Sequence, residues 1–171
     1  REVLYTVSLL ALATQRAGRF EEGINLLPQS IEAFERRWGS SVLHTEPYYR
    51  QALNVQALLF TDLGRLDDTE AVRRKLAEVD LKLSGERSIN YVQDLATLGT
   101  SLRERGAYAE AEPLLRRAHE LQRTAVEPGS PNVLHTMQYL AICLQSMGRL
   151  EEAETLWSEL RPQRIKLLGD N

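Results

Sequence analysis

Three pairs of neighbouring carboxylates are the residues of this sequence whose types and spacing most invite a chemical interpretation. The pairs, with a single acid at the corresponding place of another segment, are Glu21-Glu22, Asp67-Asp68, Glu151-Glu152 and Glu110. Two adjacent carboxyl groups could act as general acid and general base. Each pair, however, follows a glycine by three residues at the start of a predicted helix. An acid there stabilises the positive end of the helix dipole by about 0.3–1 kcal/mol, so a structural role is favoured.

Histidine and cysteine offer little for catalysis or metal binding. His119-Glu120 begins like the HExxH motif of zinc proteases, but Arg123 stands where the second histidine ligand belongs. The other histidines, His44 and His135, fall in other segments. Cys143 lies in the apolar run of a predicted packing helix, which favours a buried, inert thiol over a nucleophile. The sequence contains no phosphate-binding glycine loop, and we predict no enzyme activity, no catalytic residue, no metal and no cofactor.

Composition and charge narrow the function further. The 171 residues are 43% hydrophobic and 26% charged, as in an ordinary globular protein. The 24 acidic and 21 basic residues are interspersed, with a net charge of −3, so no basic stripe is available for nucleic acid. No apolar run approaches the roughly 18 residues that a membrane helix needs. The single cysteine fits a reducing compartment, and we predict a cytoplasmic protein without nucleic-acid or membrane partners.

Four glycines, each followed two residues later by an apolar or aromatic side chain, divide the chain at regular intervals. They are Gly18, Gly64, Gly106 and Gly148, which lie 46, 42 and 42 residues apart. An apolar stripe with the helical period precedes each glycine, and another follows it. Because glycine readily adopts the left-handed conformation that ends a helix, each unit is predicted to be a helix, a turn and a helix. The predicted helices, with no strand among them, span residues 2–17, 21–38, 47–63, 67–84, 88–105, 109–125, 132–147 and 151–168.

These units resemble the tetratricopeptide repeat, and the 42-residue step resembles its kinesin-light-chain subtype. The third unit matches best, with signature residues at Leu95, Leu98, Gly99, Leu102, Gly106, Tyr108, Ala111, Leu115 and Ala118. The fourth unit follows closely, and the first matches fairly. The second departs from the pattern, because Thr69 and Arg73 replace its small and its large apolar residue. The packing and register of its second helix are therefore the least constrained part of the prediction.

The resemblance implies an all-α fold, an α-solenoid of four helix-turn-helix repeats. A helix pair cannot bury both of its faces alone, so pairs stack and the array curves into a right-handed superhelix with a concave groove. We expect a single array over residues 1–171, with repeats at about 1–45, 46–87, 88–130 and 131–171. The last predicted helix still carries Trp157, Leu160 and Ile165, which favours further repeats or a fused domain in a longer parent chain.

The resemblance places the binding surface on the first helix of each repeat, along the groove. The predicted partner-binding residues are Tyr5, Leu12, Arg16, Gln51, Asn54, Leu58, Asp62, Gln93, Thr97, Thr100, Arg103, His135, Gln138, Tyr139 and Ile142. The same mapping also includes Ser8 and Val55. The surface mixes amides and hydroxyls, which can bond a peptide backbone, with a few apolar anchors. It has no lysine, which disfavours a clamp for a terminal carboxylate, while Arg16 and Arg103 could face either an acidic side chain or solvent.

Two functions stay open at the level of the sequence. The first is a protein–protein interaction module that binds a peptide or a protein partner in its groove. The alternative is a ligand-responsive sensor region that controls a fused enzyme or transcription regulator, as in repeat regions of bacterial kinases and proteases. The full-length gene discriminates between them, because a catalytic or DNA-binding neighbour favours the sensor. The identity of the partner does not follow from these residues.

Overall fold

The computed structural model describes residues 2–43, 47–125 and 130–168, which form eight α-helices and contain no strand. The helices are α1 (Glu2–Arg16), α2 (Phe20–Leu43), α3 (Pro47–Asp62), α4 (Leu66–Ser84), α5 (Ile89–Glu104), α6 (Tyr108–Ala125), α7 (Pro131–Ser146) and α8 (Leu150–Leu168). The predicted all-α fold is confirmed, and every predicted helix except α2 agrees within one residue at each end. The predicted end of α2 falls just before Gly39, whose φ of 65° and ψ of 173° interrupt the helix before it resumes.

The turn inside each helix pair is built on its glycine. Gly18, Gly64, Gly106 and Gly148 have φ values of 73°, 69°, 78° and 76°. At the third turn, the amide of Ala107 donates to the carbonyl of Leu102 at 2.9 Å. The amide of Gly106 donates to the carbonyl of Arg103 at the same distance. These bonds satisfy carbonyls at the end of α5 that have no partner within the helix, so the predicted left-handed turns are confirmed.

The acid pairs lie in the first turns of α2, α4 and α8, as predicted. In each pair the second acid binds the arginine that follows the turn glycine, at 3.1 Å for Arg19–Glu22, 2.8 Å for Arg65–Asp68 and 2.6 Å for Arg149–Glu152. The hydrogen bond from Arg149 lowers the pKa of Glu152. About half of each of these acidic side chains is exposed, at 59%, 46% and 46%. The acids thus lie where they stabilise the positive ends of the helix dipoles, as the sequence predicts.

The chain divides into two compact units, Arg1–Gly85 and Glu86–Asn171, each with a core of its own. Unit 1 contains α1 to α4, and unit 2 contains α5 to α8. One tryptophan packs against each core, Trp38 in unit 1 and Trp157 in unit 2. The single continuous array over residues 1–171 stays a prediction.

Helix α4 packs against α3 although its sequence departs from the repeat pattern. Thr69 takes the small-residue position with 2% of its surface exposed, and its hydroxyl donates to the carbonyl of Arg65 at 3.1 Å. A buried hydroxyl satisfied by its own helix is compatible with a core position. Val72, Leu76 and Val79 lie in the core of unit 1, so α4 keeps a helical stripe directed inward.

A second link between α3 and α4 is a buried ion pair. The side chain of Asp80 is fully buried, and Arg50 donates from Nε to both of its carboxylate oxygens, at 2.8 and 2.6 Å. Because a charge-assisted hydrogen bond of this kind satisfies an acid that water does not reach, α4 can carry a carboxylate on its inner side.

Unit 2 depends on a close approach of α5 and α6 at Gly99. A Cβ atom at this glycine would lie 2.7 Å from Cγ of Leu115 and 3.3 Å from the carbonyl oxygen of Ala111. Leu115 and Ala111 have no exposed surface. The absence of a side chain at Gly99 therefore sets the distance between the two helices.

Candidate functional site

Unit 2 contains a cavity of about 320 Å³ that opens between α5 and α7 above α6. It is lined by Ile89, Val92, Gln93, Ala96, Thr97, Thr100, Gln122, Asn132, His135, Thr136 and Tyr139. Five of these were predicted as partner-binding residues: Gln93, Thr97, Thr100, His135 and Tyr139. The structure thus brings together residues from the first helices of two successive pairs. The volume of the cavity lies at the lower end of the roughly 300–1,000 Å³ that is typical of small-ligand pockets.

Three threonines of the cavity wall hold their hydroxyl groups against their own helices. The hydroxyl of Thr97 donates to the carbonyl of Gln93 at 2.7 Å, and that of Thr100 to the carbonyl of Ala96 at 2.8 Å. On α7, the hydroxyl of Thr136 donates to the carbonyl of Asn132 at 2.9 Å. Each oxygen keeps lone pairs that can accept from a ligand, because its one hydrogen is already used.

Arg103 and two aromatic rings lie at one end of this surface. The guanidinium carbon of Arg103 lies 4.6 Å from the ring centre of Tyr139, a cation–π distance. Arg103 also pairs with Glu104 at 3.2 Å, and only 18% of its side chain is exposed. The ring of His135 lies 6.3 Å from that of Tyr139. Arg103 is therefore held over a ring of the site and is not a fully solvated helix end, whereas Arg16 is exposed.

Gln122 on α6 belongs to the cavity, and the repeat pattern does not predict it. Only 5% of its surface is exposed, and its Oε1 atom has no hydrogen-bond partner among the residues that the structure describes. Buried polar atoms are usually hydrogen-bonded, so this oxygen is an exception. Its accessible surface is below 1 Å², so it lies beneath the cavity wall and does not open onto the cavity. One feature of the sequence could have indicated that Gln122 is buried. It lies four positions after Ala118, so it shares the stripe of α6 that faces the core.

Two predicted residues of α7 lie outside the cavity lining. The side-chain oxygen Oε1 of Gln138 accepts a hydrogen bond from Arg164 on α8, so this side-chain amide is engaged within unit 2. Ile142 is half-buried. Their role in binding a partner stays a prediction.

The predicted residues of unit 1 lie along α1 and α3. Tyr5 is 40% exposed, with its ring 5.0 Å from that of Tyr48, and Leu58 is 37% exposed. Asp62 accepts a hydrogen bond from Gln15 at 2.7 Å. Of the rest, Leu12 packs against the core, Gln51 is half-buried and Asn54 is exposed. A cavity of about 360 Å³ in this unit is lined instead by α1 and α2, with Leu4, Phe34 and Trp38 among its residues.

Two residues of the wider mapping are not on a binding surface. Ser8 has no exposed surface and donates to the carbonyl of Leu4 at 2.7 Å, and Val55 is 4% exposed. Assigning them to the groove was wrong. Helix α1 packs against both α2 and α3, so a wider arc of these first helices is buried than the repeat pattern implies.

Two side chains with potential reactivity, Cys143 and His119, are buried. Cys143 has no exposed surface, and burial raises the pKa of its thiol to about 11, so the thiolate that a nucleophile requires is scarce near neutral pH. His119 is 7% exposed, and burial lowers its pKa. His44 lies outside the described residues. No group of three His, Cys, Asp or Glu side chains that could hold a metal ion occurs within residues 2–43, 47–125 and 130–168.

Hydropathy adds one observation about the helices. In the part of the chain that the structure describes, none of them combines the length and the apolar character of a membrane span.

Paired helices joined by glycine turns and stacked around apolar cores define an α-helical repeat protein. Residues 95–156 match the family model described as Tetratricopeptide repeat. Such repeats generally mediate protein–protein interactions and are typically non-enzymatic. No curated protein gives a significant match to this sequence.

Solved structures of repeat proteins are similar to the chain. BtubC (BKLC) from P. vanneervenii is 19% identical with a TM-score of 0.79, over 95% of this chain and 63% of that one. This chain therefore spans less than two thirds of that protein. The kinesin light chain nearly identical TPR-like repeats of Podosopora anserina are 17% identical with a TM-score of 0.54, over 96% of both chains. MamA AMB-1 is 18% identical with a TM-score of 0.52, over 93% of this chain and 90% of that one. At these identities the likeness concerns the fold, and it confirms the predicted resemblance to kinesin-light-chain-like repeats.

Proposed function

We propose that this protein is a non-catalytic, cytoplasmic interaction module that binds a peptide or protein partner on the surface formed by α5 and α7. The observation that carries the proposal is the cavity between these helices, where five predicted residues meet. Ligand sites are typically concave and largely apolar, with a few polar groups that fix orientation. Val92 and Ala96 supply apolar wall, and the amides and hydroxyls supply the polar groups.

An extended peptide segment suits this surface. Its backbone offers a regular series of N–H and C=O groups, which amide side chains such as Gln93 and Asn132 can bond, and its side chains alternate toward and away from the wall. Arg103, positioned over Tyr139, offers a charge at the end of the cavity for an acidic residue of the partner.

The experiment is a selection of random peptides displayed against the whole chain, followed by NMR mapping of the best binder. The proposal predicts that backbone and methyl signals of Thr97, Thr100 and Ala96 shift on titration, because these residues line the cavity. Signals of Tyr5 and Leu58 in unit 1 serve as the internal comparison. Shifts confined to unit 1, or a selection that yields no binder, would contradict the proposed site.

The second candidate function, a sensor region that responds to a small ligand, is favoured by the volume of the same cavity. A metabolite mixture screened by NMR against the chain tests this candidate, because a sensor of this kind binds a small molecule in the absence of any peptide. A hit that shifts the cavity signals supports the sensor, and the absence of any hit favours the peptide module.

A further inference from the structure

Unit 2 contains a second cavity, of about 310 Å³, that the proposed function does not use. Residues from three helices line this cavity. Helix α6 contributes His119, Gln122 and Arg123, α7 contributes Val133 and Met137, and α8 contributes Glu159. We refer to this cavity as the α6/α8 cleft, because its charged residues come from these two helices.

Two opposite charges on the α6/α8 cleft are left without ion-pair partners. Earlier along the same two helices, Arg116 of α6 pairs with Glu152 of α8 at 3.0 Å. Further along them, Arg123 and Glu159 are exposed and line the cleft. Neither of these two makes an ion pair within residues 2–43, 47–125 and 130–168. The cleft therefore presents a free cation on α6 and a free anion on α8.

His119 lies close to both charges and adds none of its own. Only 7% of its surface is exposed. Burial and the charge of Arg123 lower the pKa of His119, and the charge of Glu159 opposes them. Because the pKa stays lowered, the imidazole is neutral at neutral pH. Arg123 and Glu159 thus act on one imidazole, and they carry the formal charges of the described lining.

This pair of charges favours a ligand that carries both signs. A ligand with a single charge would pair with one of the two side chains and be repelled by the other. A ligand with one cationic and one anionic group can pair with both Arg123 and Glu159. Val133 and Met137 supply apolar wall for the hydrocarbon that joins the two groups. The volume of the cleft suits a small molecule.

We propose that the α6/α8 cleft binds a small zwitterion, an amino acid with one ammonium and one carboxylate group. The carboxylate pairs with Arg123 and the ammonium pairs with Glu159, both as charge-assisted hydrogen bonds. This site is separate from the cavity between α5 and α7, and its ligand is a free small molecule.

The first test compares probes that share a four-carbon chain and differ in charge. They are 4-aminobutyrate, which is a zwitterion, butyrate, which is an anion, and butylammonium, which is a cation. Glycine and 6-aminohexanoate vary the distance between the two charges of the zwitterion. Each probe is titrated into the full chain at low ionic strength, and NMR follows the methyl signals of Val133 and Met137. The best zwitterion is expected to bind at least about tenfold more tightly than either ion.

The second test removes each charge of the protein. Arg123→Gln and Glu159→Gln are each expected to weaken the best zwitterion by about tenfold. Arg123→Gln also removes the repulsion of a cation, so its preference for the zwitterion over butylammonium should disappear. Arg161→Gln and Glu154→Gln, at exposed positions of α8 that do not line the cleft, are the matched controls and should bind like the wild type. The amide spectrum of each variant establishes that it is folded.

Three results would overturn the proposal. These are a failure of all three zwitterions to bind more tightly than the two ions, wild-type affinity in Arg123→Gln, and wild-type affinity in Glu159→Gln. The proposed function is tested separately, because Val133 and Met137 do not line the cavity between α5 and α7. A selected peptide that shifts the signals of that cavity would support the interaction module even if no zwitterion binds.

Discussion

At the residue scale, Gly99 determines how closely α5 and α6 pack. Gly99→Ala adds a Cβ atom 2.7 Å from Cγ of Leu115, which has no exposed surface. Overpacking costs about 1–3 kcal/mol, and alanine returns about 1 kcal/mol in helix propensity, so we expect a net loss of stability of up to about 2 kcal/mol. The change in the free energy of unfolding is measured by urea denaturation, with Trp157 fluorescence as the signal in a Trp38→Phe background.

The matched control for this prediction is a double mutant. Leu115→Ala removes the atom that Gly99→Ala would meet, so in that background the glycine substitution should become neutral or stabilising. An equal loss in both backgrounds would show that the contact with Leu115 does not determine the cost.

Another residue-scale prediction concerns Glu35, Tyr49 and Lys75 in unit 1. Lys75 and the hydroxyl of Tyr49 donate to Oε1 of Glu35 at 2.6 and 2.7 Å. Burial alone raises the pKa of Glu35, but these two bonds outweigh it and the pKa falls below the ordinary 4.5. Burial and the same carboxylate raise the pKa of Tyr49.

The directions of these two pKa shifts define the pH range in which the contacts of Glu35 and Tyr49 stabilise the fold. A carboxyl group with a lowered folded pKa stabilises the fold above its unfolded pKa, and this stability is lost as the pH falls through the folded pKa. A tyrosine with a raised pKa contributes stability below its unfolded pKa of about 10, and this is lost as the pH rises through the folded value. The difference in urea midpoint between the wild type and Glu35→Gln should therefore be present near neutral pH and shrink below about pH 4.5.

Glu32, exposed on the same helix, supplies the control. The midpoints of Glu32→Gln should follow those of the wild type across the range, because no network is removed. A difference for Glu35→Gln that is unchanged in acid would contradict the pairing in the structure.

At the element scale, the buried pair of Arg50 and Asp80 holds α4 to α3. Arg50→Met leaves the fully buried carboxylate of Asp80 without this partner, and breaking such a pair costs about 3 kcal/mol. The double variant Arg50→Met with Asp80→Leu replaces both ends by apolar groups and should recover most of the loss. Urea midpoints read from Trp38 in a Trp157→Phe background test both. If the double variant is no more stable than Arg50→Met alone, the loss of stability does not come from leaving the carboxylate of Asp80 unpaired.

The elements also show which parts of the structure were predictable. Glycine spacing and apolar stripes predicted the helices because both are read from neighbouring residues: glycine permits the left-handed turn, and apolar side chains at the helical period mark the buried face. Ser8 and Val55 were misplaced because their burial depends on how α1 packs against its neighbours. Gln122 was missed because a residue of a second helix reaches the site only where the two first helices leave a cavity above it. Asp80 was missed because its partner lies on another helix.

At the scale of the whole molecule, each unit has its own core and its own tryptophan. Leu53→Ala removes a buried side chain of unit 1, and Leu140→Ala one of unit 2, each with 1% of its surface exposed. Each should cost about 2–5 kcal/mol in its own unit. We expect Leu53→Ala to lower mainly the midpoint reported by Trp38, and Leu140→Ala mainly the one reported by Trp157. Equal shifts of both reporters in both variants would show that the molecule unfolds as one cooperative body.

The central claim is that the cavity between α5 and α7 is where a partner binds, and the affinity of a selected peptide for a filled cavity tests it most directly. Ala96→Phe places a large side chain in the cavity, whereas Ala109→Phe makes the same substitution at an exposed position of α6 away from it. By isothermal titration calorimetry, Ala96→Phe should weaken the peptide at least about tenfold, the loss of one favourable contact of about 1.4 kcal/mol, while Ala109→Phe binds like the wild type. Equal affinity for both variants would contradict the claim.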